Sequence, residues 1–333
     1  MRPIPSVAHA RFGVFTTAQA NATGWTSHGL RHAVATGRLV RLRPGVYALP
    51  IPVTGDPAEA ARRLQRDAAG VSLANPRVPV SHSAAGAVFG LPLLTVPGPV
   101  CATVPRGFRD EIVGTHLHRA ALRRVEVFRH RSTLVTSAAR TVLDLAREQG
   151  VDAGLVAADH AIRVGLAFAA DLDAVLERCR GWPGLGAAQE VRRLIDPLSE
   201  SPLESLSRRR IAQAGLPAPA TQVELSDHTG RWLARVDFYW AEFGVVGETD
   251  GLLKYRTGSS IGSDRALIAE KLRQERLEEA GLIIVRWGWA AVSDFDPVTD
   301  RLRRAFARGS RPDRAERRWR ADARTWYRTG AAG

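Results

Sequence analysis

The stretch RVDFYWAEFGVVGETDG, Arg235 to Gly251, constrains the fold more than any other part of this 333-residue chain. Two runs of aromatic and β-branched residues flank Ala241-Glu242-Phe243-Gly244, which reads as the turn of an antiparallel hairpin. With Glu242 and Phe243 at the centre of the turn, Asp237 faces Glu248 across the strands. The two-residue side-chain period then adds Asp250 to the same face and sends Thr249 to the other. At ~5 Å and an effective dielectric of ~20, each like-charge pair repels by roughly 3 kcal/mol. A divalent cation with oxygen ligands offsets such a cluster, as do a bound proton or neighbouring arginines. A register slip of one residue would separate Asp237 from the other two.

The elements around the hairpin set its context. In SPLESLSRRRIAQAGLP, Ser201, Pro202 and Glu204 occupy the cap, first and third positions of a helix, a capping box, and Gly215 and Pro217 end that helix. TQVEL, WLARVDFYW and GVVGETDG follow as strands, then a helix over about 264–280, then the strand LIIVRWGW. Helix, β-meander, helix, strand is an α/β domain with a mixed sheet. The chain's only two lysines, Lys254 and Lys271, lie just after the acidic strand. A compact ammonium beside carboxylates can orient or help deprotonate a metal-bound water, which guanidinium does poorly. The plainer readings are a loop residue for Lys254, a helix ion pair with Glu275 for Lys271, and the capping box itself for Glu204.

At the other end, TTAQANATG is a short helix stopped at Gly24, and TSHGLRHAVATGRL is a second helix capped at Thr26/Ser27. LVRLRPGVYAL follows as two short strands around Pro44-Gly45. Helix, turn, helix, β-hairpin is the order of a winged helix-turn-helix, whose second helix enters the major groove. The candidate base readers are Ser27, His28, Arg31 and His32; Arg38, Arg41 and Arg43 are candidate phosphate contacts. Such modules also serve protein–protein contact. His28 and His32 have the i,i+4 spacing of metal ligands but no acidic residue between them, so they read as surface histidines.

Between these ends the chain mixes amphipathic helices (DPAEAARRLQRDAAG, TSAARTVLDLAREQG), a helical pair (VDAGLVAADHAIRVG, FAADLDAVLERCRGW) and strand-like pieces (VCATVP, VEVFRH). GWPGLG lacks the Lys-Ser/Thr ending of a phosphate loop, and SHSAAG lacks a nucleophile elbow. His116 and His118 share a strand face, thin evidence for a metal on their own. A net charge of +13 favours a polyanionic partner, most simply DNA. Two cysteines, Cys101 and Cys179, make neither a disulfide framework nor a Cys-x-x-Cys pair, which fits a reducing compartment. The first residues lack an apolar signal region, and Asp159, His160 and Arg163 interrupt the longest apolar stretch. A cytoplasmic protein without membrane contact is therefore expected. The last residues are Arg-rich with interleaved Trp319 and Trp326, either a nucleic-acid contact or a solvated helix.

Two resemblances sharpen these expectations. SPLES, VDFYW, ETDGLLKY, EKLRQERLEEAG and VRWGW, over roughly residues 199–308, resemble the PD-(D/E)XK nuclease fold, in particular the domains related to very-short-patch-repair endonucleases. The resemblance implies Mg²⁺ or Mn²⁺ on Asp237 and Glu248, with Glu204 assisting. Asp250 stands at the position usually held by lysine, so Lys254 or Lys271 would have to supply the ammonium. RLVRLRPGVYAL, SHSAAGAVFGLPLL and TSAARTVLDLA are similar to AbiEi-type antitoxins of toxin–antitoxin systems, which implies sequence-specific DNA binding and raises a cognate toxin as a partner.

The expected architecture is a mixed α/β (α+β) multidomain chain. It comprises a winged helix-turn-helix at 1–55, an AbiEi-like mixed α/β middle region at 56–198, a PD-(D/E)XK endonuclease-like domain at 199–308 and a basic tail at 309–333. The expected function is DNA binding with metal-dependent phosphodiester cleavage at Asp237 and Glu248, supported by Glu204, Asp250 and Lys254. The alternatives are an antitoxin or transcriptional regulator whose nuclease-like domain is non-catalytic, and a defence or repair component acting inside a complex.

Overall fold

The computed structural model describes residues 3–95, 98–227, 229–250, 271–310 and 319–322. The chain divides into two compact units, Met1–Ile195 and Asp196–Gly333. Its architecture is mixed α/β, and among the described residues no helix is long and apolar enough to cross a membrane.

After a short 3-10 helix (Ser6–Arg11), the first unit runs through strand β1 (Val14–Thr16), helices α1 (Thr17–Ala22) and α2 (Ser27–Ala35), and the hairpin β2 (Val40–Arg43) and β3 (Val46–Ala48). Local chemistry sets each boundary. Thr16 accepts from the Gln19 backbone N–H while Gln19 returns the bond, a capping box. Gly24, at φ +86°, makes the turn between the helices, and Thr26 caps α2 through the Gly29 N–H at 3.1 Å. Gly45, at φ +74°, turns the hairpin, and β3 lies between β1 and β2 in an antiparallel three-stranded sheet. Leu30 and Ala33 of α2 pack on Phe15, Ala20, Trp25 and Leu39, which leaves the opposite side of α2 in solvent.

The wing rests on α3 (Pro57–Ala74): Val14, Val46 and Ala48 meet Ala69, with Leu42 and Leu73 alongside. Gly70 permits this approach, since a Cβ there would stand 2.8 Å from Leu42 Cδ1. Beyond α3 come α4 (His82–Phe89), the parallel pair β4 (Val100–Val104) and β5 (Thr115–Arg119), and the antiparallel pair β6 (Val127–His130) and β7 (Thr133–Thr136). Val80 bridges to both Ala102 and Val135 and so links the two pairs. Helices α5 (Ala138–Gln149), α6 (Val151–Arg163), α7 (Ala169–Arg178) and α8 (Leu185–Leu194) complete the unit around one apolar core.

The second unit carries α9 (Pro202–Gln213), β8 (Ala220–Asp227), β9 (Trp232–Trp240), β10 (Val245–Asp250), the helical residues 271–279 (α10), β11 (Ile283–Gly288), α11 (Ala290–Ser293), α12 (Asp296–Gly309) and β12 (Trp319–Asp322). The sheet order is β11-β10-β9-β8-β12, antiparallel except for the parallel pair β10/β11. Within the tail expected to be solvated or bound to nucleic acid, residues 319–322 form an edge strand on β8. One sheet face buries Phe238, Trp240, Val245, Val285 and Trp287 against Ile211 of α9 and Leu302 of α12. The other buries Val223, Leu225, Val236, Tyr239 and Val246 against Leu277 of α10.

Candidate nucleic-acid interface and C-terminal polar site

On the winged unit, α2 presents Ser27, His28, Arg31 and His32 on one exposed side, because residues three and four apart share a helix face. Arg38 and Arg41 are exposed at and before the wing. Arg43 departs from its expected role as a phosphate contact. Its guanidinium donates to the Val113 and Gly114 carbonyls and, at 3.2 Å, to the Thr115 hydroxyl, tying the wing to the start of β5. Carbonyl groups at a strand entrance are fixed acceptors within reach, and they take the donors that DNA would otherwise use.

In the second unit the hairpin turn is the expected one: Trp240 pairs with Val245 and Phe238 with Gly247. Continuing that register would set Asp237 against Glu248, but the recorded ladder ends at Gly247. Thr249 donates both its backbone N–H (2.8 Å) and its hydroxyl (2.7 Å) to Asp237 Oδ2. On the neighbouring strand the pairing skips from Thr221/Phe238 to Val223/Val236, and Gln222 between them sits at φ +54°. One residue is skipped on each strand, so the register holds while Gln222 and Asp237 drop out of the ladder, and strict alternation breaks there.

The consequence is a correction to the expected site. Asp237 joins Thr249, Gln222 and Glu204, with Gln222 Nε2 donating to Glu204 Oε2 (2.9 Å) and Asp237 Oδ1 (3.2 Å). Glu248, next to Thr249 in an extended strand, points to the other face. There Arg273 grips both its oxygens and Arg286 Nε donates at 2.8 Å. The three carboxylates expected to converge are thus divided, and arginines neutralise one of them. Asp250 ends β10 exposed, opposite Gly288 of β11. Lys254 lies outside the described residues, and Lys271 makes the plain i,i+4 pair with Glu275 at 3.9 Å. Gln222, Arg273 and Arg286 were not singled out from sequence.

Glu204 has two attachments. It closes the cap of α9, accepting from the Ser201 hydroxyl (2.7 Å) and the Glu200 N–H (2.9 Å), and it also accepts from Gln222. Burial, followed by the nearby Asp237 charge, raises its pKa above the usual carboxylate value. Two carboxylates bridged by an amide N–H and faced by a hydroxyl form a polar site able to hold a proton or, with the amide moved aside, a hard cation.

In the first unit His82, His116 and His118 line a cavity of about 800 Å³ together with Asp144 and Glu148. Burial pulls the His82 and His118 imidazoles down to about 3, so both rings are neutral at physiological pH. The sequence marks His116 and His118 on one strand face and His82 only as the histidine of SHSAAG, while nothing in it points to Glu148, which reaches the cavity from another element.

The family model described as "Transcriptional regulator, AbiEi antitoxin" matches residues 2–50. An uncharacterized protein of Mycobacterium tuberculosis strain CDC 1551 / Oshkosh is 28% identical over 173 residues, covering 52% of this chain and 60% of that protein. An uncharacterized protein of strain ATCC 25618 / H37Rv matches with the same identity and coverage. The chain thus spans 60% of the length of the curated relatives it matches.

Proposed function

We propose that this chain is a DNA-binding regulator of the AbiEi antitoxin type that reads DNA through α2 and contacts phosphates with Arg38 and Arg41. The observation that carries the reading is a coincidence of segments: the antitoxin and regulator family matches residues 2–50, and the winged helix lies within that match, with Ser27, His28, Arg31 and His32 exposed on one side. The net charge of +13 supports the same partner. A cognate toxin is the protein partner that an antitoxin implies. Anisotropy titrations over a salt series test the DNA reading. Replacing Arg38 and Arg41 with Ala weakens binding to all sequences alike and flattens the salt slope by about two, because each neutralised phosphate releases a counterion. Replacing Arg31 or His28 alters sequence preference instead. Unchanged binding in both sets would remove the winged unit as the reader.

One observation favours a second activity, metal-dependent cleavage of DNA by the second unit. Glu204 and Asp237 are drawn together at Gln222, with the Thr249 hydroxyl beside them. In that reading Mg²⁺ or Mn²⁺ sits on Glu204 and Asp237, and Glu248 is a structural ion-pair partner. Cleavage of DNA in Mn²⁺, lost in Asp237→Ala and kept in Lys271→Ala, would support it; absence of metal-dependent cleavage leaves the regulator reading alone.

A further inference from the structure

The first unit holds a cluster that DNA reading does not use. His82 starts α4, His118 lies on β5, and Glu148 stands near the end of α5. The two imidazoles stack with centroids 3.5 Å apart and planes 16° from parallel. His82 Nδ1 meets the Ser81 hydroxyl at 2.9 Å, which leaves Nε2 facing Glu148 Oε2 at 3.9 Å. His118 Nε2 is buried and has no hydrogen-bond partner, a condition that destabilises the fold unless a ligand satisfies it. One donor atom from each of the three side chains lies within 4.8 Å of the others, the only such group of three or more His, Cys, Asp or Glu among the described residues.

We propose that His82, His118 and Glu148 form a binding site for a divalent transition-metal ion of the zinc class, with one coordination position open to the adjoining cavity. Two imidazole nitrogens and one carboxylate suit zinc, whereas magnesium and calcium prefer all-oxygen sets. The Ser81 hydroxyl on His82 Nδ1 is the kind of outer contact that fixes a ligating ring. His82 also holds φ +52°, a costly conformation for a side chain of its size. Asp144 is nearby but committed, since Arg140 takes one of its oxygens at 2.8 Å and Arg147 the other at 3.4 Å. A tetrahedral shell brings ligand atoms to about 3.3 Å of one another, so binding closes the trio by side-chain rotation. Arg106 and Arg119 also line the cavity, so an anion on the open position would meet guanidinium groups.

The site stands independently of the DNA reading and is tested on the full chain. Chelator-stripped protein is dialysed against Zn²⁺, bound metal is measured by atomic emission, and Co²⁺ is used as a spectroscopic substitute. Expected are one zinc per chain and the intense visible bands of a low-coordinate cobalt site. His118→Ala and Glu148→Gln, neither fully buried, should each lose at least about tenfold in affinity, while their metal-free melting curves show folded protein. The His28→Ala/His32→Ala pair tests surface histidines and should bind zinc as the parent does. The proposal is overturned if the parent takes up no zinc, or if His118→Ala and Glu148→Gln keep its affinity. It is equally overturned if zinc leaves with the His28/His32 pair.

Discussion

Asp237 Oδ2 accepts two hydrogen bonds from the single residue Thr249, one from its backbone N–H and one from its hydroxyl. This pair fixes which face of the sheet the Asp237 carboxylate occupies. Thr249→Val keeps the branched shape and the N–H but removes one bond to a charged group, a loss of about 1.5–3 kcal/mol. Thr249→Ser restores most of it. Urea unfolding of both variants checks this, and a Val variant as stable as the parent would mean the hydroxyl bond contributes nothing.

Glu204 gives the second unit a pH-dependent component. Its folded pKa is raised, first by burial and then by Asp237. As pH rises from the unfolded value of about 4.5 through the raised folded value, the unfolded chain has already released a proton that the folded chain still holds. This component of stability therefore falls across that window and is constant above it. Glu204→Gln removes the titration, so the variant gains on the parent as pH rises through the window. A stability difference that does not change with pH would refute this.

Arg140 is 1% exposed and is held by Asp144 at 2.8 Å and Glu126 at 3.6 Å. Arg140→Met leaves two buried carboxylates short of their cation and should cost about 3–5 kcal/mol. Adding Asp144→Asn recovers part of the loss, because an uncharged side chain tolerates burial better. Chemical denaturation of the single and double variants measures the coupling; strict additivity would show that the two residues do not act as a pair.

Gly247 lies under an aromatic stack. The Trp287 and Phe238 rings are 5.6 Å apart and 9° from parallel, and the Trp287 indole N–H is anchored on Ser207 at 2.8 Å. A Cβ on Gly247 would stand 2.6 Å from Trp287 Cη2. Gly247→Ala should therefore destabilise by about 1–3 kcal/mol and alter the tryptophan near-UV signal. An unchanged melting temperature would show that Trp287 can shift at no cost.

The winged unit was legible because its signals are local. Thr16 and Thr26 cap their helices, and Gly24 and Gly45 mark turns that neighbouring residues alone require. The strands of the second unit were legible for the same reason, down to the four-residue turn between Trp240 and Val245. The destination of the carboxylates was not. Alternation assumes an unbroken ladder, and Gln222 interrupts it from a strand that sequence places well away from the hairpin. The guanidinium groups on Glu248 come from α10 and β11, so no spacing near residue 248 announces them. The histidine cavity was hidden likewise, since α4, β5 and α5 each contribute one member of the trio.

Arg43 hooks the wing to Thr115, and Thr115 begins the strand that carries His118. The wing and the histidine cavity are therefore levers on one bar. An occupant of the cavity that moved this strand would act on the wing arginine, and thermodynamic reciprocity would run such a coupling backwards as strongly as forwards. A duplex pressing on the wing would then shift the cavity's affinity for its occupant by the same factor by which the occupant shifts affinity for the duplex.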